Sequence, residues 1–177
     1  VSKTFRNAVL DLAQHHAFAR RLVNSGRLSV PSFLTKSALN TADAEPFAGD
    51  MVPGAPMDDA PIRVGERDGW LLDQVGNRFQ LLVFADSAGA VDAATLAQFK
   101  SFAGDAIAVE PVVVTPSGGQ IGGVTVLADA QGLVARRYDA KPGTTYLIRP
   151  DQHVAARWRA FDPARVRAAV ARATCNA

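Results

Sequence analysis

The sequence predicts an α/β fold: a mixed sheet flanked by helices, preceded by a separate helix and an extended linker. Three observations lead there. Phe79 to Ala85, FQLLVFA, is an unbroken apolar run of strand length, as in strands buried on both faces. From residue 62 onward, strand-like and helix-like patterns alternate. Before that, residues 25–62 hold Pro31, Pro46, Pro53, Pro56 and Pro61 with Gly49 and Gly54. Proline removes a donor and fixes its backbone angle, so regular structure is not expected there.

Each element follows from local pattern. Residues 3–24 form an amphipathic helix, because Phe5, Val9, Leu12, His16, Ala19 and Val23 recur at spacings of three and four. Gly26 stops it. Residues 25–61 are a connector that wraps over a surface, since loops of this length act as linkers or carry function. Trp70, Leu71, Leu72 and Val75 make a short helix closed by Gly76. The apolar strand at 79–85 follows. Asp92 caps a helix to Ala103, with Leu96, Phe99 and Phe102 facing inward. Ile107 to Thr115 is a strand interrupted by Pro111, and Val124 to Leu127 is a third apolar segment. Thr144 to Ile148 and Val154 to Trp158 form a hairpin around Pro150 to His153. Asp162 and Pro163 open the last helix, whose stripe is Val166, Ala169, Val170 and Ala173. Parallel pairing first and antiparallel pairing last is the thioredoxin arrangement.

A chain of 177 residues with net charge +2 does not point to nucleic acid. Arg157, Arg159, Arg165, Arg167 and Arg172 make its end basic, which reads as a solvated helix face or a surface for an acidic partner. The single cysteine, Cys175, excludes an internal disulfide and a Cys-x-x-Cys pair, and fits a cytoplasmic location. No stretch reaches the roughly 20 apolar residues of a membrane helix, and no signal peptide is visible. Val1 opens the chain inside the helical pattern, so the chain is expected to be part of a longer one.

The candidates for chemistry are few. In a thioredoxin-like fold the reactive thiol follows the first central strand, where a helix N-terminus stabilises the thiolate. Asp86-Ser87-Ala88-Gly89 occupy that place, and Cys175 lies after the last helix. Ser87 and Ser101 have no histidine near them in sequence; only His15, His16 and His153 exist. Adjacent His15 and His16 point to different helix faces, unlike a metal pair. Asp43, Asp58 and Asp59 lack the ladder of oxygen ligands that calcium needs. Gly118-Gly119-Gln120-Ile121-Gly122-Gly123 lacks the lysine of a phosphate loop and the strand–glycine–helix context of a dinucleotide site. No residue is therefore assigned a catalytic, cofactor-binding or metal-binding role.

Three segments together resemble the C-terminal region of flavin-dependent aromatic hydroxylases of the phenol and 3-(3-hydroxyphenyl)propionate hydroxylase type. They are FRNAVLDLAQHHAFARRLVNSGRLSVP from Phe5; SALNTAD at Ser37 to Asp43, followed by VPGAPMDDAPI; and GWLLDQVGNRFQLLVF at Gly69 to Phe84, with YLIRPDQHVAARW at Tyr146 to Trp158. The resemblance implies a thioredoxin-like domain without redox cysteines at the end of an FAD- and NAD(P)H-dependent monooxygenase. It implies that 1–24 is the helical tail of the catalytic or substrate region, 25–61 the connector, and 62–177 the thioredoxin-like domain. The family's flavin-binding glycine motif is absent here, so neither cofactor is expected in this chain itself.

Three functions follow as expectations. The first is an accessory domain that stabilises the parent flavoprotein or its subunit association; its partners are the rest of the parent chain and a second copy, not nucleic acid or membrane. The second is an independent, redox-inactive thioredoxin-like binding module. The third is a small enzyme whose site the sequence does not display.

Overall fold

The computed structural model describes residues 2–16 and 32–176, and the chain divides into two units, Val1–Ser32 and Phe33–Ala177. In the first unit, helix α1 spans Ser2–His15. Of its apolar side chains, Phe5, Leu10 and Leu12 are exposed, Val9 is half-buried and Ala13 is buried. The predicted continuation to residue 24 and the stop at Gly26 lie outside the described residues.

The second unit is built on one seven-stranded sheet. Its strands are β1 (Pro61–Val64), β2 (Arg67–Trp70), β3 (Phe79–Phe84), β4 (Val109–Thr115), β5 (Thr125–Ala128), β6 (Thr145–Ile148) and β7 (Val154–Trp158). Their spatial order is β2-β1-β5-β4-β3-β6-β7. β3, β4 and β5 run parallel, while β6 and β7 extend the sheet antiparallel from β3. Four helices complete the unit: α2 (Leu71–Gln74), α3 (Ala93–Ser101), α4 (Leu133–Arg137) and α5 (Pro163–Ala173). This is the thioredoxin-like mixed α/β fold that the sequence predicts. Pro111 is tolerated inside β4 because β5 pairs with that strand only from Val112 onward.

Side-chain alternation along the strands separates two cores. Phe79, Leu81 and Val83 of β3 face Phe99, Phe102, Val166, Ala169 and Val170, which come from the α3 and α5 side. Leu82 and Phe84 point the other way, toward Val134, Tyr138, Tyr146 and the connector residues Met51, Ala55, Met57 and Ala60. The predicted caps form: Asp92 accepts from the Thr95 N–H, and Asp162 from those of Ala164 and Arg165.

Residues 33–60 wrap over one face of the sheet, where Met51, Ala55, Met57 and Ala60 enter the core, and along the outer edge of β7. Thr41 N donates to Ala155 O, Gly54 N to Val154 O, and Val154 N to Ala55 O, so this strap engages the first part of that edge. Gly54 must be glycine: its φ is +91°, and an added Cβ would stand 2.5 Å from the Leu34 carbonyl carbon.

Two features were not anticipated. The β1–β2 hairpin is short and mostly exposed, with Ile62 as its one fully buried side chain, so no apolar alternation announces it. Helix α4 has only five residues, too few to show a helical period. The basic end is also not simply a solvated face. Arg157 lies on β7 and pairs with Asp43, Arg159 pairs with Asp139, Arg165 with Glu45 and Arg167 with Asp105. The acidic partners of these arginines are inside the chain.

Candidate functional site

The carboxyl ends of β3, β4 and β5 open into a cleft of about 450 Å³. Ligands of open α/β sheets bind at such ends, where the loops leave the strands. Apolar groups from Phe84, Ala85, Val114, Ala135 and Ala140 line it, together with Asp86, Asp129 and Lys141. Asp86 directly follows the Phe84–Ala85 end of β3, the place a thioredoxin-like thiol would take, and is exposed with Lys141 at the mouth. Ser87 precedes a single 3-10 turn, Ala88–Ala90, and is likewise exposed.

Asp129 directly follows β5 and is buried, at 4% exposure. Its backbone N donates to Thr115 O at 2.8 Å, and its Oδ2 accepts from Ala135 N at 2.8 Å, tying it to the first turn of α4. Its other oxygen, Oδ1, is enclosed without a hydrogen-bond donor. Sequence reasoning passed over Asp129. The available signal was an acid closing an apolar strand, VTVLAD, just before a Gln-Gly turn.

The other sequence candidates are scattered. Ser101 Oγ donates to Gln98 O and accepts from Arg167, as a helix-end contact. His15 ends α1, His16 follows it, and His153 stands in the β6–β7 turn near Asp151. Cys175 is exposed beyond α5. Asp43 is held by Arg157 at 2.6 Å, the Asp58 carbonyl accepts from Tyr138 Oη, and Asp59 accepts from the N–H groups of Ala60 and Leu72. Among the described residues no three His, Cys, Asp or Glu side chains are grouped to hold a metal. The glycine turn 118–123 joins β4 to β5 with no helix after it, so it offers no helix N-terminus to a pyrophosphate. Gly119 instead packs on the turn after β3, where an added Cβ would stand 2.6 Å from Ala88 Cβ. These residues do not fit a flavin or nicotinamide.

A second constellation lies on the connector side. Arg157 is buried, donates two bonds to Asp43, and sits 4.4 Å from the centre of the Phe47 ring; Arg159 lies 3.6 Å from the same ring. Burial works against the Arg157 cation, but its bonds to Asp43 and Tyr146 outweigh that and raise its pKa. Burial also pushes the Tyr138 and Tyr146 hydroxyls above the usual tyrosine range. Tyr146 Oη donates to Tyr138 O, and Tyr138 Oη to Asp58 O. The arrangement is a clamp between connector and sheet, made of neutral tyrosines and a permanent cation.

Comparison with known proteins adds one family and three solved structures. The family model of the HcaD C-terminal domain matches residues 60–173. Among solved structures, the flavin-dependent monooxygenase PieE, determined with FAD and substrate, superposes with TM-score 0.63 at 21% identity. That likeness covers 95% of this chain and 32% of PieE. Aklavinone-11 hydroxylase, with FAD and aklavinone, gives 0.58 at 19% identity, over 77% of this chain and 25% of the other. A thiol peroxidase from Chromobacterium violaceum gives 0.53 at 13% identity, over 74% of this chain and 94% of the other. The likeness thus spans about a third of PieE and a quarter of the hydroxylase, but nearly all of the thiol peroxidase. No curated protein matches it in sequence. No helix among the described residues is long and apolar enough to cross a membrane.

Proposed function

The chain belongs to the HcaD C-terminal domain family, and from that premise we propose that it is the accessory C-terminal domain of an FAD-dependent aromatic-ring monooxygenase. It stabilises the parent or its subunit association and is not catalytic by itself. The observation that carries this reading is the likeness to PieE over 95% of this chain and only 32% of that one. The unsuited glycine turn and the Asp86-Ser87-Ala88-Gly89 stretch in the thiol position support it. FAD and NAD(P)H belong to the parent, in the cytoplasm, and its substrate is an aromatic ring. On this reading 1–24 is the tail of the catalytic or substrate region, 25–61 the connector and 62–177 the thioredoxin-like domain, with the connector clamped to the body through Asp43 and Arg157.

The test has two arms. Titrating FAD into the 177-residue chain should give no saturable change in flavin fluorescence; micromolar binding with a defined stoichiometry overturns the accessory role. Sequencing the coding region upstream of Val1 should find an in-frame glycine-rich flavin motif. An in-frame stop codon and initiation at this domain would replace the reading with that of a free-standing binding module.

A further inference from the structure

The two edges of the sheet differ. The β7 edge meets the strap, whereas among the described residues no strand lies beyond β2. Successive pairs of an antiparallel ladder alternate between bonded and non-bonded. Leu71 N donates to Ala60 O at 2.9 Å, so Ile62–Gly69 and Val64–Arg67 are the bonded pairs inside the β1–β2 hairpin. The backbone groups of Asp68 and the N–H of Trp70 therefore point away from β1, along the open edge. Such an edge is a template for another strand. Beside it lies a groove of about 510 Å³, lined in part by Arg63, Asp68, Trp70 and Ala128, which the strand register sets next to one another. Trp70 is 53% exposed there, and it is the residue type that most often anchors an interface.

We propose that β2 pairs with β2 of a second copy of this chain, antiparallel about Gly69, so that two sheets join edge to edge. A twofold axis makes such a contact self-complementary. Bonding parity admits only registers that set outward residues opposite one another, and charge selects among them. Centring on Asp68 opposes two aspartates, and centring on Arg67 opposes Asp68 to Glu66; like charges directly opposite are destabilising. Centring on Trp70 sets Asp68 against Leu72, which is already inside α2. Centring on Gly69 sets Trp70 opposite Asp68 twice, with each Trp70 N–H donating to Asp68 O of the other copy. Gly69 then faces Gly69, with no Cβ to hold the strands apart. Each indole lies over the groove of the other copy, within reach of its Arg63 guanidinium. The inference rests on the subunit-association part of the proposed role and not on the flavin parent, so its test and the flavin titration fail separately.

The experiment is sedimentation velocity and tryptophan fluorescence on the 177-residue chain, from about 1 μM to 1 mM. The chain has two tryptophans, and Trp158 is already buried, so a blue shift with rising concentration reports Trp70. The chain should dimerise over that range, with that shift. Trp70→Ala should raise the dimer dissociation constant at least about tenfold. Asp68→Pro is the second variant. An edge proline keeps the hairpin's own bonds, which come from Arg67 and Gly69, and places its ring where the second strand would lie. It should also weaken the dimer at least about tenfold while leaving the circular dichroism unchanged. A monomer throughout, a dimer without the fluorescence shift, or a dimer that both variants leave intact would overturn the proposal.

Discussion

The two faces of the sheet are closed by different means. On one, α3, the turn that follows it and α5 lay Phe99, Phe102, Val166 and Ala169 against β3 and β4. On the other, a five-residue helix and an irregular strap from residues 33–60 do the same task. The helical face needs only local information, because a 3.6-residue apolar period and an N-cap define each helix. The strap has no period of its own. It is positioned by contacts such as Asp43 to Arg157, which join residues 114 positions apart. A fold can therefore be equally dry on both faces and be written in the sequence at two very different ranges.

The sharpest test of this comparison removes one anchor from each face. Phe99→Ala empties a site that is 1% exposed and should lower unfolding free energy by about 3–5 kcal/mol. Asp43→Ala leaves Arg157, whose side chain is 2% exposed, as a buried cation without its counter-charge. Asp43 itself is partly open to water, so a loss of about 3 kcal/mol is expected, at the lower end for broken buried pairs. Both variants should show a single urea transition at lower midpoint. If Asp43→Ala frees residues 33–60 to protease while the midpoint stays put, the strap is laid on the fold rather than part of it.

What could be read from the sequence divides along the same line. The β3 run, the Asp92 and Asp162 caps, the Pro163 start and the β6–β7 turn are all local, and the structure has each of them. The β1–β2 hairpin and α4 fall below the length at which periodicity speaks. The pairing of the basic end with Asp43, Glu45, Asp105 and Asp139 is long-range, so four of the arginines near the terminus look like free charge until the chain folds. Asp129 was missed for a related reason. An acid closing the apolar run VTVLAD was there to be read, but its contacts with Thr115 O and Ala135 N exist only in the fold.

A smaller effect should come from the tyrosine that joins the two parts of the strap face. Tyr138→Phe removes the donor to Asp58 O while keeping the ring against Phe84 and Tyr146. The expected loss is about 1 kcal/mol, for one hydrogen bond with its packing retained. Amide exchange should accelerate around residues 57–60 and leave α5 unchanged. Equal acceleration on both faces would mean that the faces are not separable, and would blunt the comparison.

The smallest effect is one of pH. Asp139 accepts from Ala48 N of the strap and pairs with Arg159, and the backbone bond first, the arginine second, hold its carboxyl below the usual range. Its folded pKa is therefore lower than its unfolded one, near the ordinary aspartate value of about 3.9. The sign follows from proton binding: the unfolded state takes up the proton first on acidification. The contribution of Asp139 is thus fully present above the ordinary carboxylate value and is lost as pH falls through the folded value. Asp139→Asn can still accept from Ala48 N but cannot titrate. At neutral pH the variant should melt slightly below the wild type. The gap between their melting temperatures should close as pH falls from about 5 toward 2. A gap that stays constant over that window would show that Asp139 fixes the strap by shape and hydrogen bonding alone. A gap that widens would contradict the depressed pKa itself.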